Sequence, residues 1–319
     1  MPFRWVLLLL AALASMSAQA QEFPARPIRL VVPFPAGGGT DVVARAVAPK
    51  MSEVLGQVVV IDNRAGAGGN VGAELVAKAP ADGYTILLAA STVAVNVTLM
   101  PNLPFDPLKD FSPIVLLLMN QSVLVVNPKL PVSSLQEFIA LAKSKPGGLT
   151  YGSSGNGSGA HLAGEMFKIM AEVDLTHVPY KGAAPAMNDL IAGHIDAMII
   201  DLAVAMPQVK ASKVKALAIG SAQRFESLPD VPTISEAGVP GYEISGLMGL
   251  VAPTGTPRDI IARLNEAANR SLQTPEVRQQ LTALGTIPMG GPPERLGQVL
   301  RADIEKYGRI VRAAKMKVD

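Results

Sequence analysis

Cysteine is absent from the 319 residues. Its absence excludes disulfides, thiolate metal sites, a cysteine nucleophile and the lipid-bearing cysteine of a lipoprotein anchor. Tryptophan occurs once, at Trp5, and aromatic residues make up only 4% of the chain, which disfavours a site that stacks sugar rings or bases. The ligand class left open is small, aliphatic or anionic. Charge is almost balanced, with 28 Lys+Arg against 26 Asp+Glu, so neither a nucleic acid nor a membrane surface is an expected partner. Apolar runs are also short. None reaches the roughly 20 residues of a membrane-spanning helix.

Catalytic signatures are missing as well. The frame G-x-S-x-G occurs nowhere, and none of the three histidines, His161, His177 and His194, falls in H-E-x-x-H. Neither an enzyme nor a metal site is expected, and no cofactor is implied.

What is present begins with "MPFRWVLLLLAALASMSAQA": a lone Arg4, an apolar run from Trp5 to Ala14, and Ala18-Gln19-Ala20 as a small-x-small cleavage site. This reads as a secretory signal peptide over 1–20, cleaved after Ala20. The mature chain is then expected to be a soluble periplasmic monomer.

Beyond the leader, strands and helices alternate. "IRLVVPF", "QVVVIDN" and "TILLAA" read as strands with helices between them, and the pattern restarts with "SVLVVNP", "LTYGS", "LTHVPY", "IDAMIID" and "VKALAIG". This is the grammar of α/β folding, with each unit a mostly parallel sheet flanked by helices. After the proline-rich "LPDVPTISEAGVPGY" only one more strand, "GLMGLVAP", and two helices remain. They are too little for a third core, so they return to the first unit. The expected domains are 21–120 with 222–319, and 121–221, joined by a hinge near 120 and 221.

Two glycine-rich turns carry the chemistry. In "VVPFPAGGGTDVV" a strand stops at Phe34, Pro35 to Gly39 turn the chain, and Thr40 or Asp41 can cap the helix that follows. In "YGSSGNGSGAHLAGE" the same device recurs with Ser153, Ser154 and Ser158 as hydroxyl donors and Asn156 as an amide. The first N–H groups of a helix lack intrahelical partners, and the helix dipole adds partial positive charge, so each turn is an anion cradle without a cation. Both lie at the carboxyl ends of strands, where open α/β sheets bind ligands. The turn "NRAGAGGNVGAE" is a third candidate of lower rank, because Asn63 and Arg64 can satisfy it. Residues 155–160 also match G-x-G-x-x-G/A in form. However, Asp174, at nearly the spacing of a ribose-binding acid, opens its strand instead of closing it. Lys181 and Asp201 end strands and can reach the same edge; Asp201 interrupts an apolar context and is the preferred of the two.

In this order, "PFPAGGGTD", "NRAGAGGNVGAE", "ADGYT", "YGSSGNGSGAHLAGE", "VPYKG", "LPDVPTISEAGVPGY" and "APTGTP" resemble the Bug family of periplasmic solute-binding proteins of tripartite tricarboxylate transporters. The resemblance implies a two-domain, type II-like Venus-flytrap fold that closes on a small organic carboxylate and delivers it to a membrane permease. A binding protein that signals to a sensor kinase would use the same pocket. The ligand-binding residues implied are Phe34, Ala36, Gly37, Gly38, Thr40 and Asp41 on one side, Ser153, Ser154, Gly155, Asn156, Gly157, Ser158 and His161 on the other, with Asp201 beside them. One departure stands before "APTGTP": an aromatic pair is usual there, whereas this chain has Leu247 and Met248. If that segment lines the pocket, the site is more aliphatic and more adaptable.

Overall fold

The computed structural model describes residues 23–100 and 102–316. The leader, its cleavage site and Trp5 lie outside the described residues.

The first part of the chain runs β1 (Ile28–Val32), α1 (Gly39–Leu55), β2 (Val59–Asn63), α2 (Asn70–Ala77), β3 (Thr85–Ala90), α3 (Thr92–Leu99) and β4 (Phe111–Asn120). It continues with β5 (Ser122–Val126), α4 (Leu135–Ser144), β6 (Leu149–Ser153), α5 (Gly159–Ala171), β7 (Leu175–Pro179), α6 (Ala183–Ala192), β8 (Ala197–Asp201), α7 (Leu202–Lys210) and β9 (Lys215–Ile219). The last part holds β10 (Gly246–Pro253), α8 (Arg258–Gln273), α9 (Pro275–Ala283), β11 (Thr286–Pro288) and α10 (Pro293–Ala313).

These elements build two sheets, ordered β11-β4-β10-β3-β1-β2 and β7-β6-β8-β5-β9. Strands β1 to β3 pair in parallel, as do β6 with β7 and β8, each joined by a helical crossover. The reversed strands are those next to the passages between sheets: β10 lies antiparallel between β3 and β4, and β5 antiparallel between β8 and β9. Strands covered on both faces read as unbroken apolar runs, and Ser122–Val126 is buried at every position. Helices instead bury one stripe. In α8 the buried residues Leu264, Ala267, Ala268, Ser271 and Leu272 recur at helical spacing.

The chain passes from the first sheet to the second through one buried residue, Gln121, whose N–H donates to the Gly285 carbonyl at 3.4 Å and whose carbonyl accepts from Leu202 N–H at 2.8 Å. It returns at Ser245, beside the outgoing passage: Gly246 is in register with Asn120, and the Ser122 hydroxyl donates to the Ile244 carbonyl at 3.1 Å. The sequence reading put this return near Ser221. Residues 222–244 stay with the second sheet instead, since Ile234 N–H donates to Ile219 and Ile244 N–H to Gly220, each at 2.8 Å. The reason lies in side chains spaced along the proline-rich stretch. Ile234, Val239 and Tyr242 are buried in one cluster with Phe138 and Phe167 from the second unit.

Candidate functional site

The carboxyl ends of β3, β6, β7 and β8 each turn directly into a helix, and the starts of those helices converge on one cleft between the sheets. Ser91 and Thr92 come from the start of α3, Gly159 and Ala160 from α5, Ala183 from α6, and Asp201 from the N-cap position of α7. Ser122, Ile244 and Gly246, on the passages between sheets, and Tyr307 of α10 complete the wall. The enclosed volume is about 160 Å³. That compares with a 150 Å³ apolar cavity large enough for benzene, so a molecule of roughly six to ten heavy atoms fills it.

The wall is apolar at Val95, Leu162, Ile199, Ile200 and Val204, and its polar groups come from helix N-termini, hydroxyls and Asp201. Ser91 Oγ accepts from Leu247 N–H at 2.7 Å, which leaves its own proton to donate. No Lys, Arg or His lines the cavity, and Asp201 is its single charged residue, among the described residues. The groups this cavity can offer an anion are therefore N–H and O–H dipoles.

The turn at 153–161 is held from behind by a stack of polar rings. Ser153 is fully buried, accepts from Gly155 N–H at 3.1 Å, and its Oγ lies 2.7 Å from His177 Nε2. His177 stacks on His161 with centroids 3.9 Å apart, and on its other side against Tyr151 at 4.8 Å. Tyr151 donates to Glu165 at 2.6 Å. Gly157 N–H donates to His161 Nδ1 at 3.1 Å, and Ser158 caps α5 by accepting from His161 N–H at 3.2 Å. Burial lowers the His161 pKa and, with the neighbouring His161 ring adding to it, takes His177 down to about 4, so both rings are neutral and able to accept.

Of the residues expected to bind, Ser154, Gly157 and Asp201 line the cavity. Ser153, Ser158 and His161 act instead as its scaffold. Gly155 has φ +126°, and a Cβ there would come within 3.0 Å of the Tyr180 carbonyl, so it shapes the turn. Asn156 lies in this turn without lining the cavity.

The first glycine turn sits further away. None of Phe34, Ala36, Gly37, Gly38, Thr40 and Asp41 lines the cavity; their neighbours Gly39 and Val43 line an adjoining recess that shares Asp201 and also takes in Met248. Leu247 lines neither space. Helix α1 starts at Gly39 after an N-cap Gly38, so neither Thr40 nor Asp41 is the cap. Asp41 is buried in the first turn and reaches back: it accepts from Gly37 N–H at 2.9 Å, from Arg45 at 2.8 Å and from Asn63 at 3.0 Å. This turn thus supplies its own anion. The bond from Arg45, followed by that from Gly37, lowers the Asp41 pKa to about 2.

A depressed carboxylate stabilises the fold above its unfolded pKa, near 3.8, and that contribution disappears as pH falls toward 2. Asp41→Asn should accordingly flatten the fall in melting temperature between pH 4 and pH 2 while costing stability at pH 7. An unchanged acid limb would show that Asp41 carries no such linkage.

Sequence reasoning missed Ser91, Thr92, Ser122, Ala183 and Tyr307. The first two had a readable signal: "LLAAST" puts Ser and Thr at the carboxyl end of a strand, the same position as the two glycine turns. Helix α3 behind them gave none, because Val93, Ala94, Val95, Asn96 and Leu99 are buried without a regular polar face.

Residues 43–316 match the model of the tripartite tricarboxylate transporter family receptor. The chain belongs to this family. Solved relatives share its architecture: the periplasmic binding protein BugD is 33% identical, with 92% of this chain and 99% of that one covered and a TM-score of 0.77. A second, R. palustris Rpa4515 with adipate, is 38% identical over 93% of this chain and 99% of that chain, with a TM-score of 0.81. MatC from Rhodopseudomonas palustris with bound malate is 36% identical over 91% and 100%, with a TM-score of 0.77. The α/β fold with two helix-flanked sheets is thus that of two-domain periplasmic binding proteins. As a receptor-family member the chain falls among solute-binding proteins, and no described helix is long and apolar enough to cross a membrane.

Proposed function

We propose that this protein is a periplasmic receptor that captures a small organic carboxylate between two lobes and delivers it to a tripartite tricarboxylate-type permease. The observation that carries this is the cavity itself: four helix N-termini face a space walled by both sheets, with no cation to supply charge. Such N-termini favour an anion without a side-chain partner. The bound adipate and malate of the two relatives are carboxylates, which supports the same class here. Each sheet with its helices forms one lobe, and the paired passages at 120–122 and 244–246 are the hinge on which they close. A leader over 1–20 directs export and is cleaved after Ala20, and the receptor works as a monomer.

The test is thermal shift of residues 21–319 with an external dye against monocarboxylates, dicarboxylates, tricarboxylates, amino acids, sugars and NAD. A ligand at 100 times its dissociation constant adds about 2.7 kcal/mol, so the midpoint should rise by several degrees with carboxylates and stay unmoved with sugars and NAD. A response to sugars or NAD alone would overturn the reading.

A further inference from the structure

The cavity carries two kinds of polar group: helix starts with hydroxyls, and a single carboxylate, that of Asp201 at the junction of β8 and α7. Its carboxylate is exposed to the cleft, makes no cap hydrogen bond to its own helix, and enters no ion pair. It also borders the recess lined by Gly39, Val43 and Met248, so it stands where the two lobes meet. No other charged group lines either space, among the described residues.

A carboxylate accepts hydrogen bonds and, when ionised, donates none. An unpartnered acceptor in a cavity that otherwise offers donors is complementary to a molecule that carries both a carboxylate and a donor group. We infer that Asp201 selects, among small carboxylates, those bearing a hydroxyl or ammonium group, by accepting a hydrogen bond from that group. This deepens the receptor reading above and rests on it. A ligand lacking the donor leaves Asp201 without a partner in a closed cleft, and hydrogen bonds to charged groups are among the strong ones. Desolvation by the protein around the cleft raises its carboxyl to about 6, which still leaves it largely ionised near neutral pH.

The experiment compares pairs that differ only in the donor: lactate with propionate, alanine with propionate, and malate with succinate. Binding is read by calorimetry at pH 7.5 for the mature protein and for Asp201→Ala and Asp201→Asn. The wild type should bind a donor-bearing member at least about tenfold more tightly than its partner. In Asp201→Ala that ratio should collapse to within about threefold, mainly through loss of the donor-bearing acid. Asp201→Asn, whose amide oxygen still accepts, should keep part of it. Because the side chain makes no intramolecular bond, both variants should melt within a few degrees of the wild type. Carboxylate binding that ignores the donor, or a ratio unchanged in Asp201→Ala, would overturn the inference and leave the receptor standing. If no carboxylate in the panel bound the wild type, both would fall.

Discussion

Gly164→Val should destabilise the protein by about 3 kcal/mol or more, at the upper end of what overpacking costs. Gly164 lies inside α5, where glycine ordinarily costs about 1 kcal/mol relative to alanine, so at an open position a larger residue would stabilise. Space decides the sign. A Cβ at 164 would overlap Tyr151 Cε2 and lie 2.6 Å from Cζ and 2.7 Å from Cδ2. These are ring atoms of a buried side chain pinned by its bond to Glu165 and by the His177 stack, so the ring has nowhere to retreat. Gly297→Ala is the control: it sits within α10 and its Cβ would make only an ordinary 3.5 Å contact with Pro113 Cγ. Urea unfolding should show Gly164→Ala less stable than wild type and Gly297→Ala equal to it or better. Equal stability of Gly164→Val and wild type would mean that Tyr151 is free to move. Since Tyr151 backs the His177–His161 stack and His161 holds Gly157, Gly164→Val should also loosen the turn at 153–161.

Phe138→Ala should cost about 3–5 kcal/mol, the range for emptying a fully buried aromatic site. Phe138 is 0% exposed on α4 and packs against Phe167 with ring centroids 6.1 Å apart. The same cluster holds Tyr242, whose hydroxyl donates to the Ala163 carbonyl at 3.0 Å, so one substitution weakens α4, α5 and the 222–244 segment together. A loss of this size should lower the melting temperature by about 10 °C. Phe138→Leu, nearer in volume, should lose under about 1.5 kcal/mol. If Phe138→Ala melted like the wild type, this cluster would not be the core of the second unit.

The alternation of elements is legible in the sequence where each has a clear period or an unbroken apolar run. The strand Leu149–Ser153 is observed with the bounds read from pattern. Elements lacking such a contrast were missed: α3, buried almost throughout, and β4, whose "FSPIVLLLMN" sits next to "SVLVV" with only Gln121 between them. Of the site, the second glycine turn could be seen because its donors are adjacent in sequence. The first turn looked the same on paper, yet its carboxylate, Asp41, folds back onto the N–H of Gly37.

By itself the sequence determined the local chemistry: which segments extend or coil, which turns need glycine, which strand ends offer N–H groups, and what the lack of cysteine excludes. These follow from backbone sterics and hydrogen-bond supply within a few residues. Only the tertiary structure decided which of those turns meet, that Ser91 and Tyr307 share a wall with Gly157, that 222–244 joins the second sheet, and that Asp201 faces the cavity without a cation. Those outcomes depend on apolar burial and charge pairing between residues far apart in the chain, and no local pattern encodes the partner.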